Sequence, residues 1–104
     1  MSKTIYRYVL REAAANGIRD AYDGLPLVVQ MPAGAQVIDF TIEHGAAAGL
    51  VERTVRVIVD PDQPKVRHDF VMYGTGWTMP DDPGRHVGTA HDHGFVWHLF
   101  EPPK

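Results

Sequence analysis

The chain contains no cysteine. Disulfides, thiolate metal sites and a cysteine nucleophile are therefore excluded. Serine is nearly absent as well: Ser2 is the sole one, which removes serine-hydrolase chemistry. No apolar run approaches the roughly 20 residues needed to cross a bilayer. The stretch from Met1 to Tyr8 lacks the apolar core of a signal peptide. These absences point to a cytoplasmic protein with no membrane partner. An excess of basic charge is also missing, since the formal net charge is −3 and the isoelectric point is near 6.0. Proteins that bind nucleic acid gain affinity by neutralising phosphates with lysine and arginine, so no nucleic-acid partner is expected. One local basic cluster, Arg53, Arg56, Lys65 and Arg67, falls on two strands expected to pair. The acids interspersed with it mark a solvated sheet face.

What is present is a strand grammar. The 104 residues, 44% hydrophobic and 22% charged, suit one domain over residues 1–104 with a modest core. Ile38, Phe40 and Ile42 alternate with polar or opposite-facing neighbours, as a half-buried strand requires. Val55, Val57 and Val59 do the same, and Val66, His68, Phe70 and Met72 resume the period of two after Asp60-Pro61-Asp62-Gln63-Pro64. Two alternating runs joined by a short segment rich in proline and aspartate predict a hairpin. Further strands are expected at Ile5–Leu10, Leu27–Met31, His86–Ala90 and Phe95–Phe100, the last two joined across Asp92-His93-Gly94. One helical turn is expected near residues 11–16, where three alanines precede Asn16-Gly17. The expected fold is all-β: a small antiparallel sandwich or barrel of about seven strands.

Residues suited to chemistry gather between Met72 and Phe100, which hold both tryptophans and four of the six histidines. In His91-Asp92-His93, positions i and i+2 of a strand would share a face, so two imidazoles could reach one metal ion. His98, His86 or His68 would supply a third nitrogen, and Asp92 would orient a ring from behind. Such a pair also begins cupin-type sites, but the glutamate that follows it there is replaced by Gly94-Phe95-Val96-Trp97. The competing reading is a polar hairpin tip. His98, among apolar neighbours, reads as a hydrogen-bonded, half-buried side chain. Gly74-Thr75-Gly76 lacks the lysine and the helix of a phosphate loop, and fits a turn needing positive φ. Asp81-Asp82-Pro83-Gly84 is a turn for the same kind of reason. Tyr73, Trp77, Trp97 and Phe95 are suited either to a core or to a binding surface.

Several short motifs together carry a family resemblance. Ile5-Tyr6-Arg7-Tyr8, Met31-Pro32-Ala33-Gly34-Ala35, Val59-Asp60-Pro61, Tyr73-Gly74-Thr75-Gly76, Gly88-Thr89 and His98-Leu99-Phe100-Glu101 follow one another in this order. The chain thereby resembles a family of small bacteriophage and prophage proteins known as a domain of unknown function. Trp77 stands where those proteins usually carry histidine, and Arg11 to Leu25 looks like an insertion. The resemblance implies a viral accessory protein of the bacterial host cytoplasm and brings no activity with it.

The expectation is thus a non-enzymatic protein without a cofactor, binding a host protein or a small ligand through Tyr73, Trp77, His93 and Trp97. A homodimer or higher homo-oligomer is compatible with the edges of a small sheet. Two alternatives stand beside it. One is a metal-dependent, cupin-like enzyme with a divalent metal on His91, His93 and His98; the other is a minor virion component.

Overall fold

The structure, a computed structural model, describes residues 2–13, 24–45 and 50–103. It consists of seven strands: β1 (Thr4–Glu12), β2 (Leu25–Pro32), β3 (Gln36–His44), β4 (Val51–Val59), β5 (Lys65–Gly74), β6 (Arg85–Asp92) and β7 (Phe95–Glu101). They form one sheet in the order β3-β4-β1-β2-β5-β7-β6, every hydrogen-bonded pair antiparallel. The sheet curls into a nearly closed barrel. β1 is the corner strand: residues Thr4 to Leu10 pair with β4, whereas Arg11 and Glu12 pair with Val28 and Leu27 of β2.

The valine alternation of β4 does what its period demands. Val55, Val57 and Val59 are buried inside the barrel with Leu27, Met31, Phe70 and Leu99. On the opposite face of β4, Thr54 is also buried, and its hydroxyl meets that of Thr41 on β3 at 2.6 Å. The pairing satisfies two hydroxyls that would be costly to leave without partners. On the outer surface, charges are matched, across strands in the first two pairs that follow and along β5 in the third. Arg56 Nε donates to Asp39 Oδ1 at 3.0 Å, Arg7 reaches Glu43 at 2.7 Å, and Arg67 meets Asp69 at 2.9 Å.

Three expectations change. β4 and β5 do not pair: β1 and β2 lie between them in the sheet, and residues 60–64 connect strands that are not neighbours instead of forming a hairpin. The basic cluster therefore divides between separated strands. Arg53 lies 3.9 Å from Glu12, while Arg56 and Arg67 have the acidic partners just named. The helical turn expected near residues 11–16 does not begin, because Arg11 and Glu12 extend β1 as far as β2. Residues 14–16 lie outside the described residues, and among the described residues no helix occurs. Finally, the register of β3 slips between Val37 and Asp39. Ile38 becomes the extra residue of a bulge and is 44% exposed, while Val37 packs on the core beside buried Phe40.

The barrel closes where β3 meets β6. These are the two ends of the strand order, and no ladder joins them among the described residues. Gly88 makes their approach possible: a Cβ there would lie 2.6 Å from Phe40 Cβ and 3.2 Å from its backbone nitrogen. Gly88→Ala should therefore force the seam apart and destabilise the fold by about 1–3 kcal/mol, the usual cost of overpacking. Urea unfolding measures this; unchanged stability would mean the seam is loose. A second prediction concerns acid. The hydrogen bond from Arg56 holds the Asp39 carboxyl below its ordinary value, against a smaller effect of burial. A carboxyl depressed on folding adds stability above its unfolded value and loses it as pH falls through the folded one. The stability difference between the native chain and Asp39→Asn should thus shrink on acidification below the usual carboxylate range. A difference independent of pH would contradict the pairing.

Candidate functional site

Antiparallel alternation brings one end of every strand to the same rim. β1 ends there at Glu12, β3 at His44, β5 at Gly74 and β6 at Asp92, while β2, β4 and β7 begin there at Leu25, Val51 and Phe95. This rim surrounds a cleft of about 290 Å³. Leu25, Ile42 and Met72 give it an apolar interior, Trp77 and Trp97 line it, and Glu12, Arg53 and Asp92 bring charge to it.

The tryptophan pair is built by the turn that follows β5. Trp77 N–H donates to Gly74 O at 3.0 Å, and Gly76 has φ +89°, the geometry of a type II turn. Thr75 fastens the turn to β7, its backbone N–H and its hydroxyl both donating to Val96 O at 3.0 and 3.1 Å. Trp77 consequently folds back, with its ring edge-on to Trp97 at a centroid distance of 5.3 Å and an angle of 89°. Gly74 is required for a different reason from Gly76. A Cβ at Gly74 would sit 2.7 Å from Trp77 Nε1 and 3.0 Å from the Trp97 ring. Phe95 extends the aromatic surface, stacked on Trp97 at 6.1 Å and 66% exposed.

A polar group stands on the same rim at the seam. His44 Nε2 and Asp92 Oδ1 are 2.6 Å apart, joining the ends of β3 and β6. His93 adds its ring at 4.8 Å from that of His44, and its Nε2 lies 3.7 Å from Asp92 Oδ1. Local backbone explains the placement. His93 and Gly94 have φ of +47° and +86°, as the two-residue type I′ turn between Asp92 and Phe95 requires.

The residues expected from sequence separate into groups. Trp77, Trp97 and His93 come to the rim. Tyr73 is 4% exposed and packs edge-on against Phe100 at 5.7 Å, so it presents little to a partner. His91 lies within β6, exposed, one residue before Asp92 and so on the other face of the strand. His98 points away from the barrel interior, its Nε2 at 2.9 Å from Thr75 Oγ1 and its Nδ1 at 3.2 Å from Thr89 Oγ1. His86 joins the same chain of hydrogen bonds, 2.9 Å from Thr89 Oγ1. Of the histidines expected to share a metal, His93 alone belongs to the cluster of three potential ligands found among the described residues. The others in it are His44 and Asp92 themselves. His44 was invisible to sequence reasoning because it is far from the histidine-rich segment and reaches it only through the barrel seam. Arg53 and Glu12 were missed for the same reason: nothing local marks a residue as standing on a rim.

The chain belongs to the family described as Domain of unknown function (DUF7352), whose model matches residues 1–104. No curated protein and no solved structure is significantly similar to it.

The dependence of the tryptophan pair on Gly74 is directly measurable. Two indoles in edge-on contact couple their transitions, and Gly74→Ala should weaken the resulting circular-dichroism couplet as strongly as Trp77→Phe does. An unchanged couplet in Gly74→Ala would show that Trp77 is held by something other than the close approach.

Proposed function

We propose that the chain is a non-enzymatic binding protein and that it recognises a protein partner through the rim around the tryptophan pair. The observation that supports this reading is the exposed aromatic surface itself. Phe95 and Trp77 are 66% and 39% exposed, Trp97 backs both, and Val51 and Leu50 add exposed apolar surface at the start of β4. Aromatic anchors beside charged residues such as Arg53, Glu12 and Asp92 have the make-up of an interface centre with a polar border. The cleft is open and at the small end of the range for sites that enclose a drug-sized molecule, so it suits one or two inserted side chains better.

In the setting implied by the motif resemblance, the partner is a bacterial host protein and the chain a phage accessory protein acting in the host cytoplasm. Self-association through the same surface is the competing occupant. Phe95→Ala and Trp77→Ala both remove exposed surface, so folding should survive. Each should weaken partner capture by about 2 kcal/mol or more, as loss of an anchor does. Gln63→Ala, at the opposite end of the barrel, should leave it unchanged. Quantitative affinity purification from host lysate, with native mass spectrometry of the purified chain, reads both possibilities. Capture that is equally strong in all three variants would overturn the assignment of the rim.

A further inference from the structure

We propose that His44, Asp92 and His93 form a site for one divalent transition cation of the zinc type, and that the ion clamps the barrel seam. Two imidazoles and a carboxylate are a donor set suited to zinc and its first-row neighbours; calcium and magnesium favour all-oxygen shells. The candidate ligand atoms all lie within 4.8 Å of one another. In a tetrahedral shell with bonds of about 2.0–2.1 Å, ligand atoms stand roughly 3.3 Å apart. The separations of 2.6 Å from His44 to Asp92 and 3.7 Å from His93 to Asp92 bracket that value. Small side-chain rotations would open the first and close the second, and the ion would replace the hydrogen bond that now joins His44 and Asp92. The cluster is accessible: the side chains of His44, Asp92 and His93 are 45%, 20% and 78% exposed. A fourth position would be left to water.

Two independent features point the same way. His93 is the non-glycine residue with positive φ among the described residues, in a turn position that asparagine, aspartate or glycine usually fills. That backbone carries its ring to His44. The second feature is location. β3 and β6 meet without a ladder, so a coordinated ion would supply a bond between them that the backbone does not. The proposal shares Asp92 with the rim of the partner-binding reading but does not rest on that reading, since it concerns the seam and not the aromatic surface.

The test uses the full chain after treatment with a chelator, titrated with Zn²⁺ alone. Native mass spectrometry should show one ion per chain, and thermal unfolding should shift upward with the metal. His44→Ala should remove both effects, weakening Zn²⁺ affinity by more than the roughly tenfold that loss of an outer partner costs. His93→Asn is the decisive companion, because Asn-Gly is a favoured type I′ pair. It should keep or raise the metal-free melting temperature while losing the zinc-induced rise. His91→Ala should behave as the native chain. Absence of stoichiometric binding would overturn the proposal. So would a zinc-induced rise that survives His44→Ala or His93→Asn, one that His91→Ala abolishes, or an ion shared between two chains.

Discussion

The constraint on which this fold turns is parity. Seven strands that alternate in direction leave the two edge strands running the same way, so β3 and β6 cannot complete the barrel with an antiparallel ladder. No parallel ladder joins them among the described residues either, so closure comes from close packing and side chains. At one level of the seam Phe40 lies over Gly88; four residues further along both strands, His44 meets Asp92. The matching step on the two strands is what a parallel approach produces. It also covers part of the exposed edge that an open seven-stranded sheet would offer to other chains.

The rim inherits its geometry from that closure. Asp92 lines the cleft because β6 is held against β3, and β6 is hydrogen-bonded to β7, which carries Phe95 and Trp97. The β5 turn is in turn fastened to β7 at Val96, which seats Trp77. The seam, the hairpin and the tryptophan pair therefore form one mechanical unit. Widening the seam would displace the aromatic surface, although no aromatic residue of the rim takes part in the seam.

The existence of all seven strands was legible in the sequence, because side-chain alternation is a local property that each segment displays by itself. Which strands are neighbours was not. Asp60-Pro61 and Pro64 mark a chain reversal, but a reversal does not say that the strands on either side touch; here two others intervene. The same limit affected residues 11 and 12, whose helical propensity is small beside the hydrogen bonds β2 offers them. Ile38 kept the right period and the wrong face, since one bulge residue inverts every assignment before it. The site was legible only in part. Trp77 and Trp97 are identified by their residue types, whereas the expected pairing of His91 with His93 fails because i and i+2 share a face only while the strand continues. The strand stops at Asp92.

The distribution of surface character sharpens the contrast between the barrel wall and its rim. Exposed ion pairs such as Arg7–Glu43, Arg67–Asp69 and Arg85–Glu101 are each worth little in stability when solvated. Their effect is to leave the outer face without a continuous field of one sign, which disfavours recognition of a polyanion there. Apolar side chains such as Ile5, Tyr6, Ile38 and Val66 are exposed on the wall as well, but at the rim the rings are contiguous, with Trp77 and Phe95 both packed on Trp97. Apolar rings that pack on one another and still face solvent gain nothing from exposure, and a single solvent-side substitution at Phe95 would remove much of that surface without touching the core. Such surface is what contact with a partner would use. That asymmetry, more than any one residue, favours binding at the rim over binding along the wall.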